Sequence, residues 1–418
     1  MKAGVFVLAA LVCAFSAGGA PGGSGAGIEA HARACNEFGF RVARTAFPGA
    51  GNFAFSPYSA FRILSALGSG ARGEASAQIS SVLGAPDAPG EFFSAVDGAA
   101  AGFADSGGAA AFHGAVWTPR FAPVRAEFLK SCAKVFNILP NTYNPQLPEV
   151  SASRINSWVE WATKGAVKEA VLPSELSAPA IVVTGASCFE GRWNRIFNPA
   201  DTRKGRFLMS REKFLEVPMM VSESVGAMAE FEHFDAAMLP YSGGGFSMVV
   251  LLPKDIESGA KGALGHLTGE SFSNMFGVLR SMGAEKAPTV FYMPRFRVSE
   301  GKVSLKEVLS KMGMPAVFSE SADFGGVAEV KPGLYVSDFS QSAAVSVDES
   351  GTTAAAVDLL NMPFGSVKKF SANRPFLFCI VENGTGAVVF LGWVENPSGG
   401  GPGGSCEAGN PEPAPALE

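Results

Sequence analysis

Hydrophobic positions recur along this chain in two rhythms. Residues Ile28–Phe47, Tyr58–Leu67, Ala75–Leu83, Ser153–Glu169 and Lys302–Met312 carry apolar side chains at helical spacing. In the last of these, Leu305, Val308, Leu309 and Met312 fall at i, i+3, i+4 and i+7 and Gly313 ends the run. The runs Ala180–Phe189, Phe246–Leu252, Leu334–Val347, Phe376–Val381 and Ala387–Val394 have the length and composition of strands. The last two flank "ENGTG", a compact hairpin turn. Helices and strands intermix without the regular alternation of a doubly wound sheet, and no repeat is visible, so the pattern predicts one large α+β domain. The Ala- and Gly-rich stretch Ala85–Gly108 reads as a loose region, and the sequence after Pro397 reads as a disordered tail over 398–418.

Composition narrows the function. With 33 Lys and Arg against 38 Asp and Glu the net charge is −5, and no basic block interrupts the chain. That disfavours a nucleic-acid partner and an electrostatic membrane anchor. Residues 1–20 place Lys2 before an apolar run from about Val5 to Phe15 and then small residues near Ala17 and Ala20. The run is short of the ~20 residues needed to span a bilayer, so it reads as a secretory signal peptide, with a buried N-terminal helix as the alternative. Cys13 lies within it. Cys35, Cys132, Cys188, Cys379 and Cys406 are widely spaced, with no C-x-x-C pair to indicate a disulfide framework or a metal site. Cys188 and Cys379 sit in apolar runs as core residues, and Cys406 in the tail reads as the free thiol.

Catalytic signatures are missing from the pattern. His31, His113, His233 and His266 are scattered, and neither G-x-S-x-G nor a phosphate-binding G-x-x-x-x-G-K-[ST] occurs. The reading is of a protein that is not an enzyme and uses no metal and no cofactor.

One segment stands out by its lack of side chains. "DESGTTAAAVD", residues 348–358, follows strand-like sequence and precedes more of it. Threonine suits a strand and alanine does not fix one, so such a segment suits a loop in one state and a strand in another. At this point the residues resemble the serpins, protease inhibitors that insert a cleaved loop into their own sheet. "VDESGTTAAA" is similar to the serpin hinge, and "FSANRPFLFCIVENGTGAVVFLGWVENP" to the family's C-terminal strands. "FAFSPYSAFRILSALGSGARGEASAQISSVLG", "CFEGRWNRIFNPADTRKGRF" with Trp193, "LPYSGGGFSMVVLLP", "MPRFRV" and "LSKMGMPAVFSESADFGGV" follow in family order. The resemblance covers about residues 28–397.

The resemblance implies a serpin-like single domain with a large mixed sheet, further sheets, about eight or nine helices and an exposed reactive-centre loop. Its hinge would comprise Glu349, Gly351, Thr352, Thr353, Ala354, Ala355 and Ala356. The family count from Gly351 puts the scissile bond at Gly365-Ser366, with Phe364 as the alternative. The seventeen residues from Glu349 to Gly365 would span roughly 55 Å as a strand, enough to carry a tethered protease to the far end of a large sheet. Phe364 suits a chymotrypsin- or subtilisin-like pocket and Gly365 an elastase-like one, whereas a trypsin-like target would need Lys368. The partner implied is a serine protease, met by a monomeric, secreted inhibitor.

Two departures from the family pattern matter. Asp358 stands where threonine is usual, among residues that would face inward once inserted. The sheet-opening region matches the family at Ser56 and Trp193, but Gly185 and Gln341 replace the usual asparagine and histidine. These departures keep open a non-inhibitory binding, carrier or storage protein on the same fold; a cysteine-protease inhibitor is a third reading. Taken alone, Ser56 before Pro57 reads equally as a helix N-cap, and Trp193 as a core aromatic. Ala85–Gly108 holds no Lys or Arg, so no heparin cofactor is implied, and Asn383-Gly384-Thr385 is a glycosylation sequon in a tight hairpin.

Overall fold

The computed structural model describes residues 24–46, 51–165, 167–223, 227–282, 289–330, 333–349 and 368–399. Its described α-helices are α1 (Ser24–Ala46), α2 (Pro57–Gly70), α3 (Gly73–Leu83), α4 (Gly90–Asp105), α5 (Ala126–Ser131), α6 (Pro148–Ala162), α7 (Gly259–Gly265), α8 (Gly269–Met282) and α9 (Lys306–Lys311). The strands begin with β1 (Phe53–Phe55), β2 (Ala109–Pro119), β3 (Leu139–Tyr143), β4 (Ile181–Glu190) and β5 (Arg203–Leu208). They continue with β6 (Phe214–Glu223), β7 (Ala227–Glu230), β8 (Phe234–Pro240), β9 (Phe246–Pro253) and β10 (Thr289–Pro294). The last are β11 (Phe296–Ser304), β12 (Val336–Val347), β13 (Lys368–Ser371), β14 (Phe376–Glu382) and β15 (Val388–Val394).

Three sheets organise the molecule. The main sheet has order β11-β12-β4-β2-β3, a second β13-β10-β6-β5 and a third β1-β15-β14-β9-β8-β7. This is the α+β architecture that the mixed periodicity predicts. Local chemistry starts several elements where the sequence places them. Ser56 caps α2 by accepting from the Ser59 N–H, with Pro57 at the first helical position. Gly84 ends α3 in the left-handed conformation at φ 57°.

The core lies between the inner face of the main sheet, α1 and α2, and the six-stranded sheet. Phe38, Phe61, Phe92, Phe112, Phe189, Phe246 and Phe390 are all buried there. A second cluster of Trp117, Tyr143, Ile155, Trp158, Val159, Val182 and Ala186 lies under α6, which covers the opposite face of β2 and β4.

Three expectations are corrected. Ala85–Gly108 is largely the ordered helix α4, because alanine is a strong helix former and Phe92, Phe93, Val96 and Phe103 bury its inner face. The helix expected over Ser153–Glu169 runs from Pro148 to Ala162; Lys164 and Gly165 both take positive φ, which no helix continues through. In the Lys302–Met312 window only Lys306–Lys311 is helical. Val303 and Ser304 pair instead with Gln341 and Ser340 after a bulge, so sheet pairing overrides the local helical rhythm.

Candidate functional site: the seam of the main sheet and its hinge

The centre of the main sheet is a parallel seam. β12 and β4 pair over nine residues, from Val336 opposite Ile181 to Val345 opposite Phe189. Parallel pairing is slightly weaker per residue than antiparallel. The seam also divides the sheet into two blocks, since β12 pairs antiparallel with β11 and β4 antiparallel with β2. Side chains at its middle are mostly small, with Gly185, Ala186 and Ser187 facing Gln341, Ser342 and Ala343. The hydroxyls of Ser187, Ser340 and Ser342 are buried with no hydrogen-bond partner, each a cost of about 1–3 kcal/mol. A seam with little interlock and unsatisfied polar atoms is one that resists parting weakly.

At its upper end β12 leads to Glu349, where the sequence resemblance places the hinge. The Trp193 indole, 5% exposed, donates through Nε1 to the Asp348 carbonyl at 3.0 Å. The ring stacks on Tyr241 at 4.5 Å. Trp193 follows β4, so this bond joins the two sides of the seam. Trp193 is thus at once a buried aromatic and a contact across the seam. Glu349, the last described residue of the hinge, is 5% exposed. Its carboxylate accepts from Arg295 Nε at 2.5 Å and from the Thr202 hydroxyl. Burial pushes this carboxyl up, but the bonds from Arg295 and Thr202 outweigh it and hold the group below the ordinary carboxylate range. Arg295, lying between β10 and β11, was not singled out from the sequence. Fifty-four residues separate it from Glu349 and no local spacing links them.

In the middle of the seam, Gln341 reaches from β12 to the start of α2. Its Oε1 accepts the Ser56 N–H at 2.8 Å and its Nε2 donates to the Ser56 carbonyl at 2.9 Å. The Ser56 hydroxyl donates to the Val389 carbonyl at 2.7 Å while also capping α2. Ser56 thus serves as N-cap and as the floor beneath the sheet. Gly185, opposite Gln341, supplies the room: a Cβ there would lie 3.3 Å from the Gln341 Cγ and from the Ile63 Cδ1. Gln341→Ala strands the Ser56 N–H in a buried site, while the Ser56 carbonyl keeps the bond from the Ala60 N–H. We expect a loss of about 1–3 kcal/mol from the intact protein, read as a lower denaturation midpoint in urea.

The structure therefore brings together Ser56, Gly185, Trp193, Gln341 and Glu349 along one seam. Gly351, Thr352, Thr353, Ala354, Ala355, Ala356, Asp358, Phe364, Gly365 and Ser366 lie outside the described residues. So do residues 1–20 and the tail from residue 400. The described chain leaves the seam at Glu349 and resumes at Lys368, which starts β13 in the second sheet. Elsewhere, Cys35, Cys132, Cys188 and Cys379 are buried, and burial pushes the Cys132 thiol up to about 12. His113 is held down to about 4 by burial, with help from Arg62 and Lys164. The Asn383 amide nitrogen donates to the Gly244 carbonyl at 2.8 Å, so the atom a glycan would modify already has a partner. Among the described residues no group of three His, Cys, Asp or Glu side chains converges as a metal site would require.

Comparison with known proteins agrees with this geometry. The profile of the family described as Serpin (serine protease inhibitor) matches residues 33–397. Serpin-ZXA of Oryza sativa subsp. japonica is 32% identical over 84% of this chain and 91% of its own length. A "Serine protease inhibitor" of Cyanea capillata is 34% identical over 59% of this chain and 65% of its own. Among solved structures, human thyroxine-binding globulin in complex with thyroxine superposes with a TM-score of 0.76 at 24% identity. That alignment covers 88% of this chain and 99% of the globulin. With a five-stranded main sheet divided by a parallel seam and a family match over residues 33–397, this protein belongs to the serpin family.

Proposed function

We propose that the protein is a secreted inhibitor of serine endopeptidases, cut near Gly365-Ser366 and acting by insertion of its own loop into the β12–β4 seam. The observation that carries this reading is the seam itself, weakly interlocked, with the buried hinge residue Glu349 leaving its upper end directly into the small-residue segment. Family membership supports protease inhibition in general. Secretion rests on the signal-like sequence of residues 1–20 alone, and the choice of protease on Phe364 and Gly365 alone.

In this reading the protease forms an acyl bond to the loop through its own serine. The hinge then descends between β12 and β4, and the protease is carried away and distorted before the acyl bond is hydrolysed. Incubation with chymotrypsin, elastase, subtilisin and trypsin is expected to give a covalent adduct, stable to boiling in detergent, with one or more of the first three. Clean cutting without adduct by every one of them would remove the reading. Papain in the same panel separates a cysteine-protease inhibitor.

A second reading, a non-inhibitory binding or carrier protein, is favoured by Asp358 and by the Gly185–Gln341 pair. It is also consistent with the likeness to a thyroxine-binding serpin-fold protein. A cut protein that gains no stability would favour it.

A further inference from the structure

Trp193 holds the top of the seam and Gln341 its middle. The lower end has a contact of its own, which neither the sequence pattern nor the family resemblance singles out. Lys302 of β11 places Nζ 2.6 Å from Glu175 Oε1 and 3.1 Å from Asp338 Oδ2. Asp338, on β12 and 8% exposed, also accepts from the Ser304 hydroxyl at 3.0 Å. Lys302, Ser304 and Asp338 therefore belong to the β11–β12 side.

Glu175 belongs to the other side. It sits in the turn Pro173–Leu176, which leads into β4. Asn156 of α6 holds the approach to this turn by accepting from the Ala170 and Val171 N–H groups and donating to the Val171 carbonyl. The Tyr143 hydroxyl of β3 holds the exit, 2.9 Å from the Ala178 carbonyl and 3.0 Å from that of Ala180. Of the two carboxylates on Lys302, only Glu175 lies across the seam.

We propose that the Lys302–Glu175 ion pair is a latch on the lower end of the seam, and that Glu175 sets the rate at which an entering strand completes its insertion. The proposal rests on the loop-insertion reading. Nine paired residues make a seam of about 30 Å, whereas the seventeen residues of the loop reach about 55 Å. The upper half of insertion therefore leaves the latch untouched, and the last part must pass between Asp338 and the turn that bears Glu175. A cavity of about 280 Å³ lined by Glu175, Lys306, Ser337 and Asp338 opens beside the pair and gives the parting groups access to water. Burial pulls the Lys302 ammonium down, and Glu175 and Asp338 more than offset it, so Lys302 keeps its charge across the working pH range. Glu175 also accepts the Leu172 N–H at 2.8 Å, which fixes its carboxylate toward Lys302.

Glu175→Gln isolates the latch, because the amide retains an acceptor for Leu172 and leaves Lys302 paired with Asp338. In the full chain, stopped-flow tryptophan fluorescence after cutting is expected to show insertion about two- to fivefold faster, the scale of one partly exposed ion pair. The melting temperature of the intact protein should fall by about 1–2 °C, and that of the cut protein should not move. Glu175→Asp, which keeps the charge on a shorter arm, should lie between. An unchanged or slower rate, or an equal loss in the intact and cut forms, overturns the latch. Wild-type protein in the same experiment tests the parent reading: if cutting it brings no gain in stability, insertion and latch fall together. A wild-type gain with no rate change in Glu175→Gln removes the latch alone.

Discussion

Cutting the loop near Gly365 is expected to raise the melting temperature of this protein by about 10–20 °C, the conversion for a domain of this size being roughly 1–2 °C per kcal/mol. Before the cut, the segment is tied at Val347 to the main sheet and at Lys368 to a different sheet, so full descent into the seam would have to strip β13 from its sheet. After the cut only the hinge end is tied. Insertion then exchanges the parallel β12–β4 ladder for two antiparallel ladders, one on each side of the new strand. The net change is about one ladder the length of the seam, nine residue pairs, plus the better geometry of antiparallel bonds. At about 1 kcal/mol net per hydrogen bond, the gain approaches 10 kcal/mol, which is as large as the whole stability of an ordinary domain. The buried hydroxyls of Ser187, Ser340 and Ser342 add to it if the new strand gives them partners. Calorimetry on intact and cut samples in one buffer measures the difference directly. Coincident transitions would mean that the seam does not open.

The sequence was informative where function depends on local chemistry. Ser56 and Pro57 announce a helix start, and the apolar run 334–347 announces the strand that ends at the hinge. The order of small residues after Glu349 points to a segment fit for two states. It was silent where function depends on contacts between distant elements. Arg295 meets Glu349 only because β11 and β12 are neighbours, and Glu175 meets Lys302 only because a turn after α6 crosses the foot of the seam. Neither pairing has a period or a motif. The misread stretch Ala85–Gly108 has a related cause. Alanine and glycine dilute the hydrophobic pattern, and four buried side chains, three of them Phe, suffice to dock the helix against a core that the local sequence does not show.

Asp358→Thr should improve insertion most, and its effect should depend on pH. In the inserted state of this reading, a tight reversal that set Val347 opposite Thr352 would put residues 352, 354, 356 and 358 on the face of Val347, Val345, Ala343 and Gln341 in turn. Asp358 then arrives beside Gln341, whose amide already serves both backbone groups of Ser56. One further neutral N–H offsets only about 1 kcal/mol, so the carboxylate enters as the neutral acid. Holding an acid of ordinary pKa near 3.9 neutral at pH 7 costs about 4 kcal/mol. That is less than the gain of about 10 kcal/mol from the new ladder, so insertion still goes forward, but with a penalty midway down the seam. The sign follows from the proton taken up on entry: insertion of the wild type grows more favourable as pH falls from 7 toward 4, by up to about 1.4 kcal/mol per unit. The threonine variant should show no such slope. At pH 7 it should also trap a larger share of the protease molecules that cut it, and its cut form should melt several degrees above the wild type's. A wild type and variant that match at pH 7 and respond alike to pH would show that the seam holds a partner for the Asp358 carboxylate, and the penalty assigned to it would vanish.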